Sequence, residues 1–439
     1  MLNKKMVRRP RAMVAISVLA VAGMTLSACG SSSDANDSGS GDGGGDAVSV
    51  DAGASQEEYA EALTDVDPVE LSFQMATAPG VATTAPAEKW AAAVEEWSDG
   101  KVQIEVLYSG ARVPVHEMSQ ALQDGLVDGG FFLPYTAPEM FPVNTWNGSL
   151  LSLHDGSPFV GTMQMFAEWV DFGANRPELV DEVRANNIEP LLMWLPGNGN
   201  ALFCTEPVTS PEDAAGMTIR TNTPITTGLV KELGAATADV PTAEVYSALQ
   251  RGVVDCAASA LSVADSMSIQ EVSKHWTLDN EVQAPPSQGS IAFNKDTWEG
   301  LPLAVRQLLW DRLDVYLEAS ILDREFEVIS HSLQVGLDAG VTIHDWDEPT
   351  REKMAAYLDG ILEDAAANAP ANVDGEEYVS AAIENHEKWA GIIEDLGYTD
   401  ESTWAEFPEW YAANKDQIDV TPLIDKLVEE VLTPNRPTA

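Results

Sequence analysis

A chain of 439 residues with 45% hydrophobic side chains is long enough for two or three domains with sizeable cores. Its 70 Asp and Glu outnumber 24 Lys and Arg, and the resulting formal charge of −46 excludes a partner with a phosphate backbone. Solubility accounts for this charge, which by itself names no ligand.

Five basic residues, Lys4, Lys5, Arg8, Arg9 and Arg11, precede an apolar run from Met13 to Leu26 that is short for a membrane span. The run ends in Leu26-Ser27-Ala28-Cys29-Gly30, which resembles a bacterial lipobox. Residues 1–28 are therefore expected to be a lipoprotein signal peptide, with the lipid on Cys29 anchoring the chain to the cell membrane. The alternative is an ordinary cleaved signal with an incidental Cys. Residues 29–56 read as a flexible Ser/Gly/Asp tether. Asp37, Asp42 and Asp46 within it belong to a solvated linker rather than a calcium loop. No other window approaches 18 apolar residues, so the remainder is expected to be soluble and extracytoplasmic.

After a short helical stretch at 57–66, Val69, Leu71, Phe73 and Met75 alternate with polar residues, as in a strand buried on one face. A helix at 85–97 is stopped by Asp99-Gly100. A strand at 102–108, a helix at 115–123 and a strand at 130–133 follow. Strands alternating with helices of this length predict a parallel, three-layer α/β domain. The pattern then recurs: VPVHEMSQALQDGLVDG at 113–129 and VPTAEVYSALQRGVVDC at 240–256 agree at nine of 17 positions. Each copy reads as a Pro-initiated helix, a Gly near its C-terminus and a buried strand beginning at Val-Asp. A unit duplicated at an offset of 127 implies two similar α/β lobes.

Apolar strands at 191–195 and 217–221 and a helix near 225–233 complete the second half. From Pro302 onward, Val305, Leu308, Leu309, Leu313, Tyr316, Leu317 and Ile321 mark one face of a long helix, expected to brace both lobes. A strand at 341–346 and helices near 350–367, 376–396 and 404–415 close the chain. The expected division is 69–196 plus about 302–345 for lobe I, and 197–301 plus about 346–439 for lobe II with the C-terminal helices.

Catalytic motifs are missing: there is no G-x-S-x-G, H-E-x-x-H or P-loop, and the six His are scattered without metal-ligand spacing. Neither an enzyme, a cofactor nor a metal is expected. With Cys29 assigned to lipid, Cys204 and Cys256 remain, and an oxidising compartment favours one disulfide between them; two buried free thiols are the alternative. Arg220 stands out because it closes the strand Met217-Thr218-Ile219-Arg220-Thr221. Open α/β sheets bind ligands beyond the C-terminal ends of their strands, and a guanidinium can grip a carboxylate with two parallel hydrogen bonds. The alternative is an Arg paired with one of the many acidic neighbours.

The segments Ser210-Pro-Glu-Asp-Ala-Ala-Gly-Met-Thr-Ile-Arg220-Thr, Leu233-Gly234-Ala235 and Glu244-Val-Tyr-x-Ala-Leu-Gln-x-Gly-Val-Val-Asp255 resemble the DctP-type solute-binding proteins of TRAP (tripartite ATP-independent periplasmic) transporters. Glu95-Glu96-Trp-Ser-Asp-Gly100-Lys-Val-x-Ile and Asn294-Lys295 with Trp298 and Leu301-Pro302 are similar to other parts of that family. The similarity runs from about residue 69 to 340.

The resemblance implies a two-lobed, periplasmic-binding-protein-like α/β fold closing over a small organic acid, and membrane permease subunits as partners. It places the carboxylate-pairing Arg at Arg220 and a ligand-contacting Asn at Asn280. Tyr135 and Thr77, just past the third and first strands of lobe I, occupy rim positions where contacts are expected. Several family members carry a second Arg about 20 residues before the first, where this chain has Asn198-Gly199-Asn200-Ala201. That departure favours a monocarboxylate, or an acid whose hydroxyl or amide groups meet Asn200. Trp146 and Trp194 are core residues by default. The competing readings are a sugar- or peptide-binding lipoprotein of an ATP-driven importer and the ligand-binding partner of a sensor.

Overall fold

The computed structural model describes residues 48–438 except 154, 198 and 222. The expected signal peptide, Cys29 and most of the tether lie outside the described residues. The described end of the tether is packed against the body: Val50 is buried and its N–H donates to Gln307 Oε1 at 2.8 Å. Ser55 then caps the helix Gln56–Ala62 in a capping box with Glu58, so the tether ends short of the expected residue 56.

Eleven strands occur among the described residues: β1 (Val69–Gln74), β2 (Val102–Leu107), β3 (Gly129–Phe132), β4 (Ile188–Pro196), β5 (Asn200–Cys204), β6 (Thr218–Arg220), β7 (Ala236–Ala238), β8 (Cys256–Ala260), β9 (His275–Thr277), β10 (Gln288–Asn294) and β11 (Thr342–His344). They form two sheets, ordered β2-β1-β3-β10-β4 and β11-β9-β5-β8-β6-β7. Each sheet is the centre of one lobe.

The duplication read in the sequence is a duplication of topology. The order β2-β1-β3-β10-β4 matches β7-β6-β8-β5-β9 position by position, and β11 is the one added strand. Phe73 and Gln74 pair with Gly129 and Gly130, as Ile219 and Arg220 pair with Cys256 and Ala257. The turns leading into β3 and β8 contain Gly125 and Gly252, at φ of 67° and 64°, a left-handed conformation in which a side chain is strained.

The chain crosses between lobes at two strand connections. β4 runs parallel to β1 and β3, because β10 is antiparallel to both β3 and β4. It ends at Pro196, and β5 begins at Asn200, antiparallel to β8. The first crossing thus joins the C-terminal edge of lobe I's parallel strands to the corresponding edge of lobe II. The second, from Thr277 at the end of β9 to Gln288 at the start of β10, joins the same two edges. Those edges are where an open α/β sheet presents a ligand site.

Two boundaries differ from the sequence expectation. β10 lies in lobe I although 197–301 was assigned to lobe II, and β11 lies in lobe II although 302–345 was assigned to lobe I. All seven residues of β10 are buried, so the strand shows no alternation to reveal which sheet it joins. The expected long brace is a run of helical segments, Leu303–Asp311, Leu313–Ala319, a π-helical stretch Ser320–Glu327 and Val328–Asp338. The second segment packs on the lobe I helix Ala85–Trp97 and the last on the lobe II helix Leu261–Ser266. Burying a side chain such as Leu308 or Leu317 along this brace contributes roughly 1.5–3 kcal/mol.

One C-terminal helix leans on lobe I, contrary to its assignment to lobe II, while Glu348–Ala367 meets both lobes, packing on the lobe II helix Pro224–Glu232 and the lobe I turn Gly148–Ser152. Gly375–Asp395 packs along Val160–Asn175, where His386 Nδ1 meets a Glu168 carboxylate oxygen at 2.7 Å and Lys388 reaches Asp171 at 2.9 Å.

Candidate functional site

Arg220 ends β6 at the crossing edge of lobe II and is 5% exposed. Its Nε donates to the Val240 carbonyl at 3.0 Å, Nη1 to the Ala258 carbonyl at 2.9 Å and Nη2 to Thr242 Oγ1 at 3.1 Å. All three acceptors are neutral, and among the described residues no carboxylate lies within ion-pair distance. Burial pulls the guanidinium pKa down, and Asp239 partly restores it. Arg keeps its proton under any ordinary condition, so a full positive charge is held largely out of water with Asp239 near but not in direct contact. A guanidinium carries five N–H donors, which leaves capacity on the two terminal nitrogens.

Lobe I shows what this position does without the charge. Gln74, at the matching end of β1, donates from Nε2 to the Val113 carbonyl at 2.9 Å and accepts from the Arg112 N–H at 2.7 Å. Val113 and Val240 are equivalent residues of the repeat. Both side chains therefore hold the loop that starts the repeated helix, and a neutral amide suffices for that task. The charge of Arg220 exceeds what the scaffold requires.

The remaining expected site residues all lie on the two joined edges, in different states. Asn200 is buried at the start of β5 and its amide donates to the Pro285 carbonyl, tying the first crossing to the second. Asn280, just past β9, has both amide atoms engaged: Nδ2 donates to Asp345 at 2.8 Å and Oδ1 accepts from the Trp404 N–H at 3.2 Å. Tyr135 follows β3 and is 38% exposed, with Ser287 of the second crossing as its polar neighbour. Thr77 is exposed past β1, its hydroxyl 2.9 Å from that of Thr83. Trp146 donates to the Ala365 carbonyl at 3.1 Å and Trp194 to Asn144 at 3.0 Å, both as packing residues.

Cys204 and Cys256 form a disulfide at the other end of β5 and β8, away from the crossings. Among the described residues no three His, Cys, Asp or Glu side chains are grouped to hold a metal ion. An apolar cavity under the helix Pro224–Glu232, walled by Leu202, Leu229, Val230 and Met354, does not include Arg220. Three contributors escaped the sequence reading. Gln74 could have been found by extending the repeat to the preceding strand, and Thr242 from its place inside the repeat. Trp404 carries no sequence signal.

The family model for DctP, bacterial extracellular solute-binding protein family 7, matches residues 73–368. The C4-dicarboxylate-binding periplasmic protein DctP of Rhodobacter capsulatus is 27% identical over 295 residues, covering 66% of this chain and 84% of that protein. The uncharacterized protein y4mM of Sinorhizobium fredii is 30% identical over 250 residues, 57% of this chain but 42% of that one. A marine-metagenome TRAP solute-binding protein solved with co-purified pyroglutamate shares the fold at a TM-score of 0.59 and 20% identity, covering 72% of this chain and 99% of that one. With its two sheets, its paired crossings and this match, the chain belongs to the DctP family of bacterial extracellular solute-binding proteins.

Proposed function

We propose that the protein captures a small organic acid outside the cytoplasm and delivers it to the membrane permease subunits of a TRAP-type transporter, held at the membrane through lipid on Cys29. The observation that carries this reading is the buried guanidinium of Arg220, without a direct ion pair among the described residues, at the edge where the two lobes meet. Of the two buried arginines among the described residues, Arg312 pairs directly with Asp314 and lies over the Trp97 ring, whereas Arg220 bonds only neutral acceptors and feels Asp239 at longer range. A carboxylate arriving there completes an ion pair with a largely buried guanidinium, and lobe closure then seals it.

With Asn200 committed to Pro285, no second cation stands beside Arg220 in the matching position, which supports a monocarboxylate over a diacid. Tyr135 and Thr77 on the facing edge are the proposed polar contacts of lobe I, and Asn280 joins them if its bond to Asp345 or Trp404 exchanges for ligand. A neutral sugar held by aromatic stacking is less well supported, because eight of the twelve Trp are buried.

Native mass spectrometry of freshly purified protein identifies a retained acid, and calorimetry with that acid tests the site. Removing one side of a buried charge pair costs about 2–5 kcal/mol, so Arg220→Ala is expected to bind at least ~tenfold more weakly. Unchanged affinity in that variant contradicts the assignment.

A further inference from the structure

Residues 369–439 lie beyond the family match, and one segment of them reaches the place where the lobes join. Trp404 is 2% exposed, and its indole N–H donates to the Gly156 carbonyl of lobe I at 2.8 Å. Its backbone N–H donates to Asn280 of lobe II at 3.2 Å. The ring lies over the first crossing: a Cβ on Gly199 would sit 3.4 Å from it, in van der Waals contact, and 2.9 Å from Gln283 Oε1 of the second crossing. Gly156 in turn presses on the second crossing, where a Cβ would lie 2.8 Å from the Glu281 backbone.

The segment around Trp404 is anchored independently on lobe I and the brace. Asp400 accepts from the Phe159 and Val160 N–H groups at the start of the helix Val160–Asn175, at 3.3 and 3.0 Å. Trp410 meets Phe159 edge-on at 4.8 Å, and Phe159 stacks on Phe326 of the π-helical stretch at 5.1 Å. Within that stretch Arg324 donates to the Pro196 carbonyl, the last residue before the first crossing, at 2.6 Å. The crossing is thus held by the brace at Pro196 and by the C-terminal segment at Gly199. π-Helical turns inside longer helices recur at functional sites.

We infer that Trp404 is a positioning residue for ligand capture, setting the interlobe angle by bridging Gly156, Gly199 and Asn280. Capture by two lobes requires a hinge, and the hinge here is the pair of crossings. A residue whose ring lies over the first crossing and whose backbone bonds Asn280 in the second limits the orientations the lobes sample in the free protein. Apparent affinity scales with the fraction of molecules in the binding-competent arrangement, so a looser hinge weakens binding without any lost ligand contact. The ligand part of this inference rests on the transport reading; the hinge part does not.

Hydrogen exchange read by mass spectrometry over the two crossings, together with calorimetry against the co-purified acid, tests the role in the full chain. Trp404→Ala is expected to speed exchange at the crossings selectively and to weaken binding by about three- to tenfold. Trp404→Phe, which keeps the ring against Gly199, is expected to restore most of both. Should Trp404→Ala fail to fold, Asp400→Ala, which loosens the segment away from the hinge, is expected to speed exchange at the crossings on its own. Wild-type exchange at the crossings in the folded variants, or a Trp404→Phe no better than Trp404→Ala, overturns the role. If the wild type binds no acid, the transport reading falls, and selective exchange at the crossings still decides whether Trp404 holds the hinge.

Discussion

The two lobes share a strand order and a repeated helix, yet they differ at the positions that face each other through the repeat. Lobe I ends β1 in Gln74, and lobe II ends β6 in Arg220; both grip the equivalent carbonyl, of Val113 or Val240. Lobe I packs Phe293 over Gly129, where a Cβ would come within 2.9 Å of the ring, whereas lobe II joins the corresponding Cys204 and Cys256 covalently. The loop residue before the valine is Arg112 in one lobe and Asp239 in the other. The comparison separates what the scaffold needs from what is added to it. A donor to the loop carbonyl is needed in both lobes; a buried positive charge is present in one.

The strongest way to break this comparison is to give lobe II the residue of lobe I. Arg220→Gln can keep the Val240 contact while removing the charge, so the fold is expected to survive and acid affinity to fall at least ~tenfold, in line with about 2–5 kcal/mol for losing one partner of a buried pair. Calorimetry paired with thermal melting reads both quantities. A variant that melts far below the wild type would mean that the guanidinium is structural after all.

A smaller effect is expected from the other lobe. Gln74→Ala leaves the Arg112 N–H and the Val113 carbonyl without their partner, and an orphaned buried polar group costs about 1–3 kcal/mol. Denaturant melts should show that loss. Ligand affinity in the folded protein should change far less than in the Arg220 variants, which sharpens the division between scaffold and site.

The smallest expected effect concerns pH and the C-terminal helices. The hydrogen bond to Glu168 raises the pKa of His386 against the pull of burial. Burial raises that of Glu168, with His386 and Gln164 opposing. The folded state therefore holds both protons more tightly than the unfolded chain. The contribution of His386 is fully present below its ordinary pKa near 6.5 and is lost as pH rises through the higher folded value. Glu168 acts in the same direction above its ordinary carboxylate range. The melting temperature should fall from pH 6 to pH 8; one that rises over that range contradicts the assignment.

Much of the fold was legible because the repeat preserved local signals. Proline before each helix, glycine at each turn and the Val-Asp strand start all survive in both copies. The position of Arg220 at the end of a strand was legible too. The strand exchange between lobes was hidden, because β10 is buried on both faces and β11 is three residues long. The partners of Asn280 could not be read from its own neighbourhood: Asp345 and Trp404 are 65 and 124 residues away. The charge state of the site was hidden for a related reason. Whether an Arg in so acidic a chain is paired depends on which carboxylates the fold brings near, and at Arg220 it brings none of the described ones within ion-pair distance.

The most direct measurement is a crystal structure of the protein with the acid identified by mass spectrometry. The ligand's carboxylate oxygens are expected within hydrogen-bonding distance of the Arg220 terminal nitrogens, between the C-terminal edges of the two sheets. A ligand seated elsewhere, with that guanidinium still bound only to Val240, Ala258 and Thr242, would contradict the account.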